Sequence, residues 1–158
     1  ALDEYGLAVC ASRPEYGGTN RLHNEFESKV AAFLGKEDAL VMGMGFATNS
    51  TFLGALAMTE GGSTAKKTLF VSDQLNHKSI VEGVKQSSAK VIGFKHNNMH
   101  DLEKILDRET RSGKWAKIVI IVEGIYSMEG EFCRLRETVS LKNKYNCYLW
   151  LDEAPRKV

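Results

Sequence analysis

Short runs of β-branched residues alternate with amphipathic segments along this chain, and the alternation restricts its possible folds. The run at 117–122, KIVIIV, has the composition of a strand buried on both faces. Runs at 68–72, 90–94 and 147–151 predict further strands. Helical segments separate them, so the connections should be right-handed crossovers between parallel strands. The sequence therefore predicts an α/β fold in three layers, with helices on both faces of a mainly parallel sheet.

Apolar residues at helical spacing place the helices between these strands. The predicted helices cover 24–34, 48–58, 79–86, 101–108 and 136–144. Gly35 is a typical C-terminal stop for the first of them. The polar stretch at 61–67 is interpreted as a surface loop before a strand.

The composition is that of a globular protein and excludes several classes of function. Of the 158 residues, 43% are hydrophobic and 26% are charged, which argues against a disordered or coiled-coil chain. A formal net charge of +1 does not favour nucleic-acid binding. The three cysteines are far apart, which indicates neither a disulfide framework nor a structural zinc site and favours a reducing compartment. The longest apolar run, 118–122, is too short to cross a bilayer.

Both ends of the sequence have the character of cuts within a longer protein. The chain has no initiator methionine, and only EAPRKV follows the last predicted strand. We therefore expect 1–158 to be one part of a larger domain. The elements that should flank the last strand would be absent, which predicts an exposed sheet edge and aggregation.

Three of the predicted strands are followed at once by a carboxylate: Asp73, Glu123 and Asp152. In an open parallel sheet the ligand lies beyond the carboxyl ends of the strands, so the three acids should point at one region. The alternative is that each acid only caps the helix that follows it. The coincidence of three favours a site.

The glycine-rich segment at 43–50, GMGFATNS, leads into a predicted helix. Unpaired N–H groups and the dipole at a helix N-terminus attract phosphate. The alternative is a tight connection that needs glycine for a positive φ. The segment does not match GxGxxG, and GxxxxGK[ST] does not occur in the chain. The pattern alone leaves both interpretations open.

Histidines near the strand ends are further candidates. His77 lies four residues after Asp73, where an imidazole could stack on an aromatic ligand or act as an acid or base, although a polar capping role is the commoner one. His96 and His100 have a spacing able to hold zinc, but no cysteine or third ligand lies near them, so we predict no metal site. His23 precedes a helix and is interpreted as a cap.

Seven segments, in this order, resemble the α-oxoamine synthases, which are pyridoxal 5'-phosphate (PLP) enzymes of the aspartate-aminotransferase fold, fold type I. They are GTNRLH (18–23), FLGKEDALV (33–41), GMGFATNS (43–50), SDQLNH (72–77), FKHNNM (94–99), IVEGIYSMEG (121–130) and YLWLDEA (148–154). They run nearly the whole length of the chain. Three of them, GMGFATN, FKHNN and VEGIYSMEG, are similar to the catalytic subunit of the serine-specific branch.

The resemblance implies part of the large domain of a PLP transferase and a role for several residues. Asp152 would pair with the pyridinium nitrogen of PLP. His77 would stack on the ring. The backbone N–H groups of Gly45 and Phe46 would hold the phosphate.

In the family, positions corresponding to Glu123 and Ser127 line the same pocket, and the resemblance counts Glu123 with the catalytic residues. The implied reaction condenses L-serine with palmitoyl-CoA, with loss of carbon dioxide, to give 3-ketodihydrosphingosine, which is the first step of sphingolipid biosynthesis. One alternative keeps the fold but uses glycine or another amino acid. Another is a catalytically dead truncated product that only binds a partner subunit.

The resemblance also implies partners and a location. In eukaryotes this kind of subunit pairs with a first subunit that lacks the lysine, on the cytosolic face of the endoplasmic reticulum membrane. Bacterial relatives are cytoplasmic homodimers. Any membrane anchor would lie in segments outside this sequence.

Two departures from the family pattern weaken the implied activity. The family continues DEAH after the last strand, whereas Pro155 stands here in place of the histidine. The Schiff-base lysine of the family lies further downstream, and Lys157 is too close to Pro155 to take that role. The 158 residues alone are therefore predicted to be inactive.

Overall fold

The computed structural model describes residues 3, 13, 18–58, 67–87 and 89–154. The chain divides into two compact units, 1–43 and 44–158. The predicted surface loop, except its last residue, lies outside the described residues, as do Pro155 and Lys157. Within the described part, no helix is long and apolar enough to cross a membrane.

In the first unit, helix α1 spans Arg21–Leu34. Asn20 Oδ1 accepts from the His23 N–H at 3.1 Å, and the Asn20 N–H donates to His23 Nδ1 at 3.2 Å. This reciprocal capping confirms the predicted role of His23 and starts the helix three residues before the predicted 24. Gly35, at φ 62°, ends it as predicted.

The second unit alternates strands and helices. Its elements in chain order are α2 (Gly45–Ala57), β1 (Lys67–Asp73), α3 (Lys78–Gln86), β2 (Lys90–Phe94), α4 (Met99–Arg111), β3 (Trp115–Glu123), β4 (Ile125–Tyr126), β5 (Glu131–Phe132), α5 (Leu135–Lys144) and β6 (Tyr148–Asp152). The main sheet has the order β2-β1-β3-β6, with every pair parallel, as predicted. The small antiparallel hairpin β4–β5 was not predicted, because two-residue strands carry no periodic signal.

Helices cover both faces of this sheet, which confirms the three layers. In β1, Leu69 and Val71 pack in one core with Leu102 of α4. Phe70 points to the opposite core, which contains Leu53 of α2 and Ile80 of α3. The strands are apolar on both sides because both sides are buried.

Helices α2 and α3 approach each other closely at Gly83. A Cβ atom at this position would lie 2.6 Å from the Asn49 carbonyl oxygen and 2.9 Å from Ser50 Cα. Only glycine therefore permits this helix separation. The contact fixes the N-terminal half of α2 against α3, beside the carboxyl ends of the strands.

Candidate active site

A cavity of about 520 Å³ opens beyond the carboxyl ends of β3 and β6, between the N-terminal turns of α2 and α3. All six residues assigned through the resemblance line it: Gly45, Phe46, His77, Glu123, Ser127 and Asp152. Asn49 and Ser79 line it as well. This is the place where open parallel sheets bind ligands.

Glu123, at the end of β3, is buried, with 3% of its surface exposed. Its carboxylate accepts a hydrogen bond from the backbone N–H of His77. Burial raises the pKa of Glu123; the His77 N–H opposes the rise, and the negative charge of Asp152 adds to it. Glu123 thus joins the end of β3 to the start of α3.

His77 is the N-cap of α3, which confirms the capping interpretation, and it also lines the cavity, where its role toward a ligand stays a prediction. Its Nδ1 accepts from the Ser79 N–H at 3.2 Å and lies 2.7 Å from Ser79 Oγ. The Phe46 ring stands edge-on, with the ring centroids 6.5 Å apart and an interplanar angle of 78°. Capping therefore fixes the imidazole at the wall of the cavity.

Asp152 ends β6 directly beside Glu123, its partner in the strand register. Its Oδ2 accepts from Asn49 Nδ2 at 2.7 Å, and its Oδ1 accepts from the Ala154 N–H at 2.9 Å. Each carboxylate oxygen therefore already faces a donor. These two bonds hold the Asp152 side chain in one orientation at the cavity wall.

Helix α2 begins at Gly45, three residues before the predicted 48, and its first turn contains no acidic residue. The N-cap, Met44, supplies no side-chain hydrogen bond, so none of its side-chain atoms competes for the first-turn N–H groups. Gly45 has no positive φ, and a Cβ there would meet no described atom within 4 Å. The interpretation that this glycine is needed for a positive φ is therefore wrong, and Gly45 lines the cavity.

Asp73 does not line the cavity, so the prediction that three acids converge is wrong for this one. Its Oδ1 lies 2.9 Å from His96 Nδ1, and its Oδ2 accepts from the Asn97 N–H at 3.1 Å. The reason is the strand order, because β1 lies beside β2 and the loop after β2 captures the carboxylate. Only Glu123 and Asp152 come together.

His96 lies in this cluster, 3.2 Å from Glu131 through Nε2. Burial alone would lower the pKa of His96, but hydrogen bonds and charges from Asp73 and Glu131 outweigh it, and the pKa is raised. Among residues 18–58, 67–87 and 89–154, no three His, Cys, Asp or Glu side chains are arranged so that they could hold a metal ion.

We expect His96→Gln to destabilise the protein more in acid than in alkali. A raised pKa contributes stability that is fully present below the unfolded value of about 6.5 and is lost as the pH rises through the folded value. Urea unfolding at about pH 5.5 and about pH 8.5 measures the difference. His100→Gln is the matched loss of an exposed imidazole. An equal loss of unfolding free energy at both pH values after His96→Gln would contradict the ion-pair assignment.

Sequence reasoning assigned no role to Asn49 or Ser79, which are both buried. Asn49 Nδ2 donates to Asp152 Oδ2 and, at 2.9 Å, to Ser79 Oγ. A signal existed, since Asn49 shares a helix face with Leu53 and Ala57, the other buried residues of α2. An amide on an apolar face needs buried partners.

The chain is similar to known proteins along nearly its whole length. It is 45% identical to "Long chain base biosynthesis protein 2c" of Oryza sativa subsp. japonica, covering 98% of this chain and 31% of that protein. It is also 45% identical to "Serine palmitoyltransferase 3" of Homo sapiens, covering 97% of this chain and 27% of that protein. The chain therefore spans about a third of the length of the curated relatives it matches.

Solved structures agree with these relatives. A variant of serine palmitoyltransferase from S. paucimobilis, with a bound PLP–myriocin aldimine, superposes with a TM-score of 0.83 at 29% identity, over 97% of this chain and 37% of that one. The enzyme from Sphingomonas wittichii gives 0.82 at 31% identity, over 97% and 36%. The predicted resemblance and fold class are confirmed. Residues 9–154 match the family profile of aminotransferase class I and II, and the chain belongs to this PLP-dependent family.

Proposed function

We propose that this chain supplies the PLP-binding wall of an enzyme that condenses L-serine with palmitoyl-CoA. The observation that carries the proposal is the cavity, in which the Asp152 carboxylate, the His77 imidazole and the N-terminus of α2 meet. The similarity to proteins named serine palmitoyltransferase supports the choice of substrates. 3-Ketodihydrosphingosine would be the product.

The residues present fit PLP in size and charge. The cavity volume of about 520 Å³ is within the range of small-molecule pockets. A phosphate suits the first turn of α2, where Gly45 and Phe46 have N–H groups without intrahelical partners and no acid opposes an anion. A protonated ring nitrogen suits Asp152, whose carboxylate is already oriented by two donors.

Each of these residues would have a distinct task. When bound, PLP supplies an electron sink for the carbanion at the substrate Cα. Asp152 would hold a proton on the pyridine nitrogen through its negative charge. His77 would cover one ring face and exclude water from it. Glu123 would act as a positioning residue, because it bonds to the His77 backbone.

Ser127 lies in the loop between β4 and β5, and it lines the cavity. We propose that its hydroxyl contacts the bound substrate or cofactor, which is the implied family role. The hydroxyl can donate one hydrogen bond and accept two, so it suits either ligand.

We further propose an assembly with a second subunit, either a lysine-lacking first subunit at the cytosolic face of the endoplasmic reticulum or an identical copy in the cytoplasm. The resemblance to eukaryotic subunits and to bacterial enzymes supports the two forms respectively. The predicted inactivity of the isolated 158 residues also stays a prediction. Experiments on activity therefore use the protein in its full natural length, with its partner subunit where one is found.

The proposed function predicts serine-dependent release of CoA. The protein, loaded with PLP, should release CoA from palmitoyl-CoA when L-serine is added, and mass spectrometry should detect 3-ketodihydrosphingosine. Glycine and L-alanine in place of serine test the alternative of a related synthase.

Controls separate the outcomes of this assay. Protein stripped of PLP should show only background release and should recover on addition of PLP. Release with glycine but not with serine would overturn the serine assignment while keeping the family chemistry. No release with any amino acid, from protein that binds PLP and is assembled with its partner, would contradict the proposed reaction.

A further inference from the structure

We propose that Asn49 is a positioning residue that holds Asp152 and His77 in one hydrogen-bonded unit and, through Ser79, places the His77 ring proton on Nε2. The roles of Asp152 and His77 toward PLP rest on the proposed function above. The hydrogen-bond chain itself is read from the protein alone. It connects residues of α2, α3 and β6.

The orientation of the Asn49 amide follows from the chemistry of its partners. Trp150 Nε1 can only donate, and it lies 3.2 Å from Asn49 Oδ1, so the oxygen must face the indole. The amide nitrogen then directs its two protons to Asp152 Oδ2 at 2.7 Å and Ser79 Oγ at 2.9 Å. The reversed amide would set a donor against the indole and an oxygen against a carboxylate. Trp150 therefore fixes which atom donates and which accepts in each of these hydrogen bonds.

Ser79 passes this direction on to His77. Because Ser79 Oγ accepts from Asn49, its own proton is available for His77 Nδ1, 2.7 Å away. The Ser79 backbone N–H also donates to Nδ1, at 3.2 Å. Two donors at Nδ1 make it an acceptor, so the neutral ring bears its proton on Nε2.

Burial makes this chain of hydrogen bonds restrictive. Asn49 and Ser79 are 7% and 1% exposed. Little of either side chain is exposed, so water replaces a lost partner poorly and alternative orientations are disfavoured. His77 therefore presents an N–H at Nε2, which can donate a hydrogen bond but cannot accept a proton. Of the acid and base roles considered for His77, a base acting through Nε2 is excluded for the neutral ring.

Imidazole ¹⁵N spectra test this chain of hydrogen bonds in protein without PLP. Full-length protein is stripped of PLP and labelled at histidine, and His77→Gln identifies the two signals of His77. We expect Nδ1 to resonate as an unprotonated nitrogen and Nε2 as a protonated one. A protonated Nδ1 in the neutral ring would overturn the proposal, whether or not the protein binds PLP.

Two variants test the hydrogen-bond relay that runs from Asn49 through Ser79 to His77. Asn49→Asp keeps an oxygen for Trp150 but replaces the donor to Ser79 with a carboxylate oxygen, which should attract the Ser79 hydroxyl proton away from His77. Ser79→Ala removes the hydroxyl. Both should raise the share of the Nδ1–H form at least twofold, and Ser79→Thr should restore the parent spectrum. Ser50→Ala, on the same helix with a hydroxyl bonded to the Ala47 carbonyl, should leave the spectrum unchanged.

PLP affinity provides a second readout. Asn49→Asp removes the donor that orients Asp152 Oδ2 and sets two carboxylates against each other, which should displace Asp152, so we expect PLP binding to weaken about tenfold or more. Ser79→Ala keeps the hydrogen bond between Asn49 and Asp152, so it should weaken PLP binding less than Asn49→Asp does. Circular dichroism confirms that each variant folds. Spectra and affinities of both variants equal to those of Ser50→Ala would overturn the relay, whereas intact spectra in protein that never binds PLP would contradict only the proposed function.

Discussion

Asp152→Asn is expected to lower serine-dependent CoA release by about a hundredfold or more, the scale seen when one preorganised electrostatic group is removed from an active site. The substitution keeps the shape of the side chain but removes the charge that would keep the ring nitrogen protonated. It also places an amide NH₂ against one of the donors at Asn49 and Ala154, so we expect an unfolding free energy lower by about 1 kcal/mol.

The matched control is Asp107→Asn, which removes the same charge from an exposed ion pair with Arg111 on α4. Surface pairs of this kind contribute little, so activity should stay near the parent value. If the activity of Asp152→Asn stayed within about threefold of the parent, the predicted loss would be wrong. That result would contradict the assignment of Asp152 to the cofactor site.

Gly83→Ala should reduce the unfolding free energy by about 1–3 kcal/mol, the usual cost of overpacking. The new methyl would overlap the Asn49 carbonyl oxygen and Ser50 Cα, and both are backbone atoms that cannot rotate away. To relieve the overlap, α2 must move off α3. That movement would disturb both the relay at Asn49 and the helix end at Gly45, so PLP affinity should fall together with stability.

Gly54→Ala is the matched glycine within α2. A Cβ there would meet no described atom within 4 Å, so the higher helix propensity of alanine should keep or raise stability, by up to about 1 kcal/mol. Urea unfolding compares the two variants. Equal unfolding free energies for Gly83→Ala and Gly54→Ala would show that the close approach of α2 and α3 is unimportant.

The sheet was predictable because its strands are buried on both faces. The run at 117–122 is apolar at every position after Lys117, and that composition alone indicates a central parallel strand. The start of α2 was not predictable in this way. Its first residue is Gly45 and its N-cap is Met44, neither of which is a strong helix-start signal, and the structure begins the helix within the glycine-rich segment.

The site was predictable where it depends on strand ends. An acid after each strand predicts that these side chains lie at one edge of the sheet, and Glu123 and Asp152 adjoin because β3 and β6 are neighbours in register. Asp73 lies outside the cavity because of the order of the strands, and the sequence pattern does not contain that order. The contact of Asn49 with Ser79 and Asp152 joins residues 30 and 103 positions apart, which no local pattern can predict.

A crystal structure of the full-length protein with PLP would measure directly whether the cofactor occupies the cavity at Asp152. We expect the pyridine nitrogen within hydrogen-bond distance of the Asp152 carboxylate and the His77 ring parallel to the pyridine. The phosphate oxygens should accept from the N–H groups of Gly45 and Phe46. A pyridine nitrogen turned away from Asp152, or a phosphate bound away from the start of α2, would contradict the site.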